Sequence, residues 1–287
     1  MGKAQRNRQQ SARARIAAQQ AQQRRTEQRR RMLAVGGIAV AVLVVLGIVI
    51  GAVVSRNNSS QAGATTGPLP ASVLADLTVP ASTLASVGIG SSSASLLRPV
   101  TGPALTSGGK PEMLYIGAEW CPYCAAERWS MAVALSRFGS FSPLKGIHSA
   151  SDDVYPNTAT LTFYRSTYTS NYLVFTPVEN EDVNRNLLQA PTAAQKALWV
   201  KYEPPGTGYP FIDIGNRFVA AATYDPAVLQ GLTWSQIAAD LHDPASPVAQ
   251  GAVGSANLFT AAICKVTGNL PASVCTTAPV AALEGQL

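Results

Sequence analysis

Hydrophobic residues are distributed unevenly along the chain. The longest apolar run, residues 32–55, is 24 residues long, contains no charged side chain and consists mainly of Ala, Val, Leu, Ile and Gly. As a helix it would extend about 36 Å, which exceeds the thickness of about 30 Å of a bilayer's hydrocarbon core. The pattern therefore predicts one transmembrane helix over residues 32–55.

After that run, short apolar segments alternate with helical patterns, which is typical of an α/β domain. Strands are predicted at residues 111–118, 158–165, 172–178, 211–214 and 218–222. Helices are predicted at residues 125–138, 181–202 with a break at Pro191, and 226–242. The chain is therefore divided into four parts, which are a basic tail (1–31), the transmembrane helix (32–55), a flexible tether with an N-terminal extension (56–108) and an α/β domain (109–287).

The positive charge of the chain is concentrated in its tail. Residues 1–31 contain ten basic residues and one acidic residue, whereas the rest of the chain contains 12 basic and 15 acidic residues. This asymmetry predicts a single-pass protein of the cell membrane with a cytoplasmic N-terminus and an extracytoplasmic domain. A signal peptide is the alternative, but its apolar run would be about 7–15 residues long. The tail is expected to contact the lipid bilayer, and nucleic acid is not expected as a partner because the tail has no aromatic residue to stack on bases.

Candidate chemistry lies in the motif Cys121-Pro122-Tyr123-Cys124, between a predicted strand and a predicted helix. A thiolate at a helix N-terminus is stabilised by unpaired backbone N–H groups, which lower the thiol pKa from about 8.5. Cys121 would then be ionised near neutral pH and attack a disulfide, and Cys124 would resolve the mixed disulfide. Pro122 is tolerated in the first turn because its missing N–H would be unpaired there.

Residues 118–121 (Ala-Glu-Trp-Cys) resemble the run before the first redox cysteine of thioredoxins, and the Cys-Pro-Tyr-Cys motif resembles that of dithiol glutaredoxins. A further resemblance lies at residues 208–210, ahead of two predicted strands, where the thioredoxin superfamily has a cis-proline beside its redox pair. The resemblance implies an α/β fold with a thioredoxin-like mixed sheet and flanking helices. It also implies an insertion over about residues 139–205 and a C-terminal helical segment, 250–287, that carries a second cysteine pair.

The same resemblance implies roles for individual residues. Cys121 and Cys124 would be catalytic, and their neighbours Trp120, Pro122 and Tyr123 would tune the site. The Tyr209 backbone and Pro210 would bind substrate, although the sequence leaves the isomer of the bond between them open.

The anchor, the Trp-Cys-Pro-Tyr-Cys site and the late cysteine pair together resemble an uncharacterised family, domain of unknown function 929. One position departs from the thioredoxin pattern. Six residues before the first redox cysteine, thioredoxins carry a buried aspartate that moves protons, and this chain has Tyr115. A phenol with a pKa of about 10 is a poor proton acceptor at neutral pH.

Other interpretations of the cysteines stay open. The Cys121/Cys124 pair would serve as a zinc half-site only with two more ligands, and the chain's two histidines are isolated, so no metal and no cofactor is expected. A static disulfide between the two is also considered. Cys264 and Cys275 are predicted to form a structural disulfide worth about 3 kcal/mol, with an electron relay to Cys121/Cys124 or a bond to a partner protein as alternatives.

These features predict a membrane-tethered thiol–disulfide oxidoreductase that acts on envelope or secreted proteins. Its partners would be protein thiols or disulfides outside the membrane, together with a membrane or extracytoplasmic electron partner. An oxidising compartment favours an oxidase or isomerase role over a reductase role. The alternatives are a non-catalytic envelope scaffold or binding module with structural disulfides, and a metal-delivery chaperone, which Met131 alone supports weakly.

Overall fold

A nine-residue strand, β4 (Lys110–Ala118), is the central strand of the main sheet in the computed structural model, which describes residues 67–203 and 208–287. The last six residues of β4 are fully buried, as expected for an apolar strand inside an α/β domain. The basic tail and the predicted transmembrane helix lie outside the described residues. Within the described ranges, no helix combines the length and the apolar character needed to cross a bilayer.

The remaining strands are short. They are β1 (Gly67–Pro68), β2 (Arg98–Pro99), β3 (Thr106–Ser107), β5 (Gly139–Ser142), β6 (Lys145–His148), β7 (Ala159–Thr162), β8 (Thr167–Ser170), β9 (Val174–Glu181), β10 (Phe211–Ile214) and β11 (Phe218–Ala220). The helices are α1 (Ala71–Asp76), α2 (Ala81–Val87), α3 (Pro122–Ser136), α4 (Ala193–Tyr202), α5 (Trp234–Asp240), α6 (Gly254–Thr267), α7 (Ala272–Cys275) and α8 (Ala278–Glu284).

Strand β4 pairs with β10 in antiparallel and with β9 in parallel orientation, so the main sheet is mixed. Beyond β10 the sheet continues through β11 to β2, and β3 forms a hairpin with the start of β4. In this register Tyr115 lies opposite Ile212 on β10 and Pro177 on β9. The predicted α/β class, a mixed sheet with helices around it, is confirmed.

Alternate residues of β4 enter two different apolar layers. Met113 and Tyr115 belong to the larger core, which includes residues of α3 and α6. Leu114 and Ile116 point to the opposite face, where Trp199 of α4 packs against them. Because side chains alternate between the two faces of a strand, β4 contributes apolar residues to both faces of the sheet, and helices pack on each face.

The segment predicted as an insertion contributes two smaller sheets. Strand β6 lies between β1 and β7 and pairs with both, and β5 pairs with β8. Helix α3 is tied to the first of these sheets by Trp129, whose indole N–H donates to the Ala159 carbonyl at 3.1 Å. The dithiol helix therefore packs between the main sheet and this additional layer.

The helix predicted over residues 181–202 is wrong in its first half, because only α4 is helical. The Asp182 carboxylate accepts the backbone N–H groups of Asn184 and Asn186 at 2.8 and 2.9 Å, which closes a loop that competes with a helix. Helix α4 begins later, at a capping box between Thr192 and Gln195.

The helix predicted over residues 226–242 is divided into two pieces. Residues Pro226–Leu229 form a 3₁₀ turn, and Gly231 with φ +76° separates this turn from α5. A capping box at Thr233 then begins α5. A left-handed glycine followed by an N-cap residue ends one helix and starts another.

Candidate functional site

The two cysteines of the Cys-Pro-Tyr-Cys motif lie where β4 passes into α3. Cys121 is the N-cap residue of α3, and its Sγ accepts the backbone N–H of Cys124 at 3.2 Å. Pro122 occupies the first turn of the helix. Both cysteines are free thiols, and both are buried, with Cys121 3% exposed and Cys124 fully enclosed.

The environments of the two thiols push their pKa values in opposite directions. Burial opposes ionisation of Cys121, but hydrogen bonds from the Cys124 thiol and backbone, together with the positive charge of Arg128, lower the Cys121 pKa below its ordinary value. Burial, aided by the Cys121 thiol beside it, raises the pKa of Cys124 well above its ordinary value. The first thiol can therefore attack as a thiolate while the second holds its proton.

A buried ion pair lies behind the dithiol. Arg128 Nε donates to Glu179 Oε1 at 2.9 Å, and its Nη2 donates to Glu179 Oε2 at 2.7 Å. Neither side chain has any exposed surface. The same Nη2 donates to the carbonyl of Ala118 at 2.8 Å, which anchors the guanidinium at the end of β4.

Tyr115 completes this buried cluster. Tyr115 lies two residues before Gly117 on β4, and Gly117 lies opposite Glu179 on β9. A Cβ added at Gly117 would collide with the Tyr115 hydroxyl, so the glycine provides the space that this hydroxyl occupies. Burial raises the pKa of Tyr115 well above its ordinary value, and the phenol therefore stays protonated.

Arg128 and Glu179 do not stand out in the sequence as functional residues. One signal in the sequence points to Arg128. It is a charged residue on the apolar helix after the motif, and it lies four residues after Cys124, which places it on the same helix face as that cysteine. Its partner on β9 could not be identified, because the two residues are 51 positions apart in sequence.

Aromatic side chains surround the opening to the dithiol. The Cys121 thiol donates to the Tyr209 carbonyl at 3.6 Å, and the bond from Tyr209 to Pro210 is cis. The Tyr209 ring stacks on Trp199 at a centroid distance of 5.2 Å and meets Trp120 edge-on at 6.0 Å. The structure therefore brings Trp120, Tyr209 and Pro210 together with the dithiol.

Two loops close over Trp120. Its indole N–H donates to Glu181 at 2.7 Å, and the Arg185 guanidinium lies 5.0 Å from the centre of its ring. Arg185 also binds the Asp152 carboxylate at 3.0 Å, which ties the loop after β9 to the loop after β6. On the other side of the motif, Tyr123 is 38% exposed and available to other molecules.

The second cysteine pair lies in a different layer of the domain. Cys264 near the end of α6 and Cys275 at the end of α7 form a disulfide with a Cα–Cα distance of 5.6 Å. Both are buried in the larger core, whereas the dithiol belongs to a separate cluster around Ala118.

Among residues 67–203 and 208–287 there is no group of three or more His, Cys, Asp or Glu side chains arranged to hold a metal ion. The two histidines are engaged elsewhere. His148 packs against Trp234 at a centroid distance of 4.4 Å, and His242 Nε2 lies 2.9 Å from the Asp76 carbonyl.

Comparison with known proteins gives one match. The sequence matches the family model described as Domain of unknown function (DUF929) over residues 99–265, which is more than half of the chain and includes the dithiol, the buried ion pair and Pro210. No curated protein and no solved structure matches the chain. On the strength of this family match, the chain belongs to the DUF929 family.

Proposed function

We propose that this protein is a thiol–disulfide oxidoreductase of thioredoxin-like fold, with Cys121 as the attacking and Cys124 as the resolving thiol. The observation that carries the proposal is the position of the Cys121 sulfur at the N-cap of α3, where it accepts the Cys124 N–H and has a lowered pKa. A structural cysteine has no need of a stabilised thiolate, whereas a nucleophile does.

The two steps of exchange make different demands on the two sulfurs. In the first step the Cys121 thiolate attacks a substrate disulfide, and a mixed disulfide forms at that sulfur. In the second step the buried Cys124 sulfur passes its proton to the departing substrate sulfur, attacks Cys121 and releases the substrate thiol. Oxidation of a substrate dithiol runs through the same two steps in reverse. The opposed pKa shifts of the two thiols support this division of labour. Pro122 and Tyr123, between the cysteines, would influence the reduction potential by shaping the first turn of α3.

The proposed substrate site is the backbone of Tyr209 and Pro210. The Tyr209 carbonyl lies 3.6 Å from the Cys121 sulfur, so a peptide bound along this backbone would bring its own sulfur close to Cys121. Trp120 and Trp199, on either side of the Tyr209 ring, would fix that backbone in place.

Three features support the thioredoxin-like part of the proposal. The dithiol begins the helix that follows the central strand, β9 runs parallel to that strand, and Pro210 immediately precedes the β10–β11 hairpin. The first and third of these relations are those that the sequence resemblance implies, whereas β9 lies within the segment predicted as an insertion.

For its location, we propose that residues 32–55 anchor the protein in the cell membrane with the domain outside. The substrates would then be envelope or secreted proteins, and a membrane or extracytoplasmic partner would exchange electrons with the dithiol. In an oxidising compartment an oxidase or isomerase role is favoured over a reductase role.

A second candidate function is a non-catalytic scaffold, which the low exposure of Cys121 favours. Only 3% of this residue is exposed, so a substrate sulfur would reach it only if the surrounding side chains moved. In a scaffold the dithiol would be inert toward disulfides in solution.

A redox titration separates the two candidates. The full-length protein, purified in mild detergent, is equilibrated in glutathione buffers, and each cysteine is alkylated and mapped by mass spectrometry. An oxidoreductase is expected to show a reversible Cys121/Cys124 transition between about −270 and −120 mV, lost in Cys121→Ser. A pair that stays oxidised below about −300 mV, or reacts only after denaturation, would establish the scaffold instead.

A further inference from the structure

The buried ion pair of Arg128 and Glu179 is expensive for the fold. Removing two charges from water costs several kcal/mol for each ion, and apolar side chains of similar volume are often at least as stable. The pair is also incompletely satisfied, since Arg128 Nη1 has no hydrogen-bond partner among the described residues. Stability of the fold alone therefore does not account for a guanidinium at this position.

The location of Arg128 offers another explanation. It follows Cys124 by four residues on α3, and helical side chains lean toward the helix N-terminus, so its guanidinium lies under the dithiol. The guanidinium donates to the carbonyl of Ala118, a residue three positions before Cys121 in sequence, and this contact holds it at the end of β4 next to the motif. The positive charge acts on both thiols, and it favours the thiolate form of each.

The Tyr115 hydroxyl is a second unused donor in the same place. Within the ranges described by the structure it has no hydrogen-bond partner, and it is fully buried beside Gly117. A phenol O–H and a guanidinium N–H can both donate, and neither serves as a base near pH 7. The cluster is therefore equipped to receive a negative charge and not to remove a proton.

The carboxylates nearby do not change this assignment. Both oxygens of Glu179 accept from Arg128, and Oε1 also accepts the Phe163 backbone N–H at 3.2 Å. Glu119 accepts the Thr162 hydroxyl at 2.7 Å, and no hydrogen bond joins it to either cysteine sulfur among the described residues. Tyr209 also lies beside Cys121, and burial raises the pKa of its phenol to about 12. Glu181 accepts the Trp120 indole N–H at 2.7 Å.

We propose that Arg128, fixed by Glu179, is a positioning residue that stabilises Cys124 as a leaving thiolate, so that the dithiol is built to accept electrons from substrate thiols. This inference rests on the proposed function and gives its oxidising direction a structural basis in one buried ion pair. In the opposite direction Cys124 would have to lose its proton before it attacks, and that step needs a base. The Arg128 guanidinium and the Tyr115 hydroxyl are hydrogen-bond donors and do not serve as one.

The electron-accepting reaction begins with the Cys121–Cys124 disulfide. A substrate thiolate attacks Cys121 Sγ, a bond to the substrate sulfur forms, and the Cys121–Cys124 bond breaks with its electron pair on Cys124 Sγ. Cys124 then takes up one of the substrate's protons. A second substrate thiolate attacks the substrate sulfur of the mixed disulfide and releases Cys121 as a thiolate. The substrate loses two electrons and two protons, and the dithiol gains both electrons and one proton, the other proton passing to solvent.

Charge-changing variants with opposite expected effects test the inference in the full-length protein. Arg128→Met is expected to raise the Cys121 pKa by one unit or more, measured from thiolate absorbance against pH. It should slow reduction of the oxidised protein by dithiothreitol about tenfold and lower the reduction potential by about 30 mV, the equivalent of a tenfold change. Glu179→Gln should shift all three quantities in the opposite direction, and Arg128→Lys should restore part of the loss.

The matched control is Arg137→Met, which removes another largely buried arginine from the end of the same helix. Arg137 donates to Asn257, Thr260 and Thr277 and lies about 13 Å further along the helix axis, so it should lower stability without moving the Cys121 pKa. If Arg128→Met does not fold, the double variant Arg128→Met/Glu179→Met replaces the pair by apolar side chains, and it should still raise the Cys121 pKa.

Either of two results would overturn the inference, namely that Arg128→Met and Glu179→Gln shift the Cys121 pKa in the same direction, or that neither shifts it. The pair would then be structural. These failures are distinguishable from failure of the proposed function, in which the unmodified dithiol does not exchange with glutathione at all.

Discussion

The Cys264–Cys275 disulfide allows a quantitative prediction. The two cysteines are 11 positions apart and join the end of α6 to α7. Closing a loop of about 12 residues removes about 9–10 cal/mol/K of entropy from the unfolded chain, or about 3 kcal/mol at 25 °C. Replacing both buried cysteines by alanine is therefore expected to lower the free energy of unfolding by about 3 kcal/mol.

The experiment is equilibrium unfolding in urea, followed by tryptophan fluorescence, with Cys264→Ala/Cys275→Ala compared with the parent protein. Both proteins carry Cys121→Ser and Cys124→Ser, which prevents disulfide reshuffling during unfolding. In a domain of this size the loss corresponds to a decrease of about 6–12 °C in melting temperature. A loss below about 1 kcal/mol would refute the loop-entropy argument for this pair.

The same double alanine variant, made with Cys121 and Cys124 intact, separates a structural disulfide from an electron relay. For a structural disulfide, the reduction potential of Cys121/Cys124 and its rate of exchange with glutathione are expected to stay unchanged. A relay would instead appear in the parent protein, where electrons added to Cys121/Cys124 would pass to the Cys264–Cys275 disulfide and make those two cysteines accessible to alkylation at successive times.

Three further predictions follow from the buried residues and the loops. Gly117→Ala should destabilise the domain by about 1–3 kcal/mol in urea, because the new Cβ would collide with the Tyr115 ring. Gly208→Ala, where a Cβ meets no other atom within 4 Å, is the control, and equal losses in both variants would contradict the explanation. Burial raises the pKa of Glu127 to about 7, so the native state keeps a proton that the unfolded chain releases near pH 4.5. The free energy of unfolding should therefore fall by up to about 3 kcal/mol between pH 4.5 and 7. This fall should be absent in Glu127→Gln. If the free energy of unfolding depends on pH equally in both proteins, Glu127 is not the source of the fall. Arg185→Ala should change stability by less than about 1 kcal/mol, since its ion pair with Asp152 is exposed. The variant should nevertheless speed alkylation of Cys121 by iodoacetamide at least twofold, because the loop after β9 loses its ion pair with the loop after β6. An unchanged rate would show that these loops do not control access of reagents to Cys121.

The strand-to-helix junction at the dithiol could be predicted because its determinants are local. The mainly apolar segment 111–118, with Glu112 as its one charged residue, forms most of the central strand, and Pro122 in the first turn is compatible with the helix that follows. The environment of the dithiol could not be predicted, because it depends on β9 lying parallel beside β4. That pairing places Glu179 opposite Gly117, and no periodicity in the sequence specifies it.

The loop after β9 shows a different limit of prediction. Residues 181–191 have a composition compatible with a helix, but the Asp182 side chain takes the backbone N–H groups that would begin one. The choice between helix and loop here depends on hydrogen bonds from a side chain to the backbone two and four residues ahead, and helix propensities of single residues do not include such bonds. The conformation of this loop matters for the candidate site, since the loop carries Arg185 to the ring of Trp120.

The N-cap position of Cys121 links the redox state of the protein to its folding. The sulfur that would exchange disulfides also accepts the hydrogen bond that begins α3. A disulfide sulfur is a weaker acceptor than a thiolate, and losing an N-cap costs about 1 kcal/mol. By thermodynamic linkage, a helix that is better capped in one redox state also draws the redox equilibrium toward that state. If the dithiol exchanges disulfides as proposed, folding would favour its reduced form, and oxidation would lower the conformational stability of the domain by a similar amount.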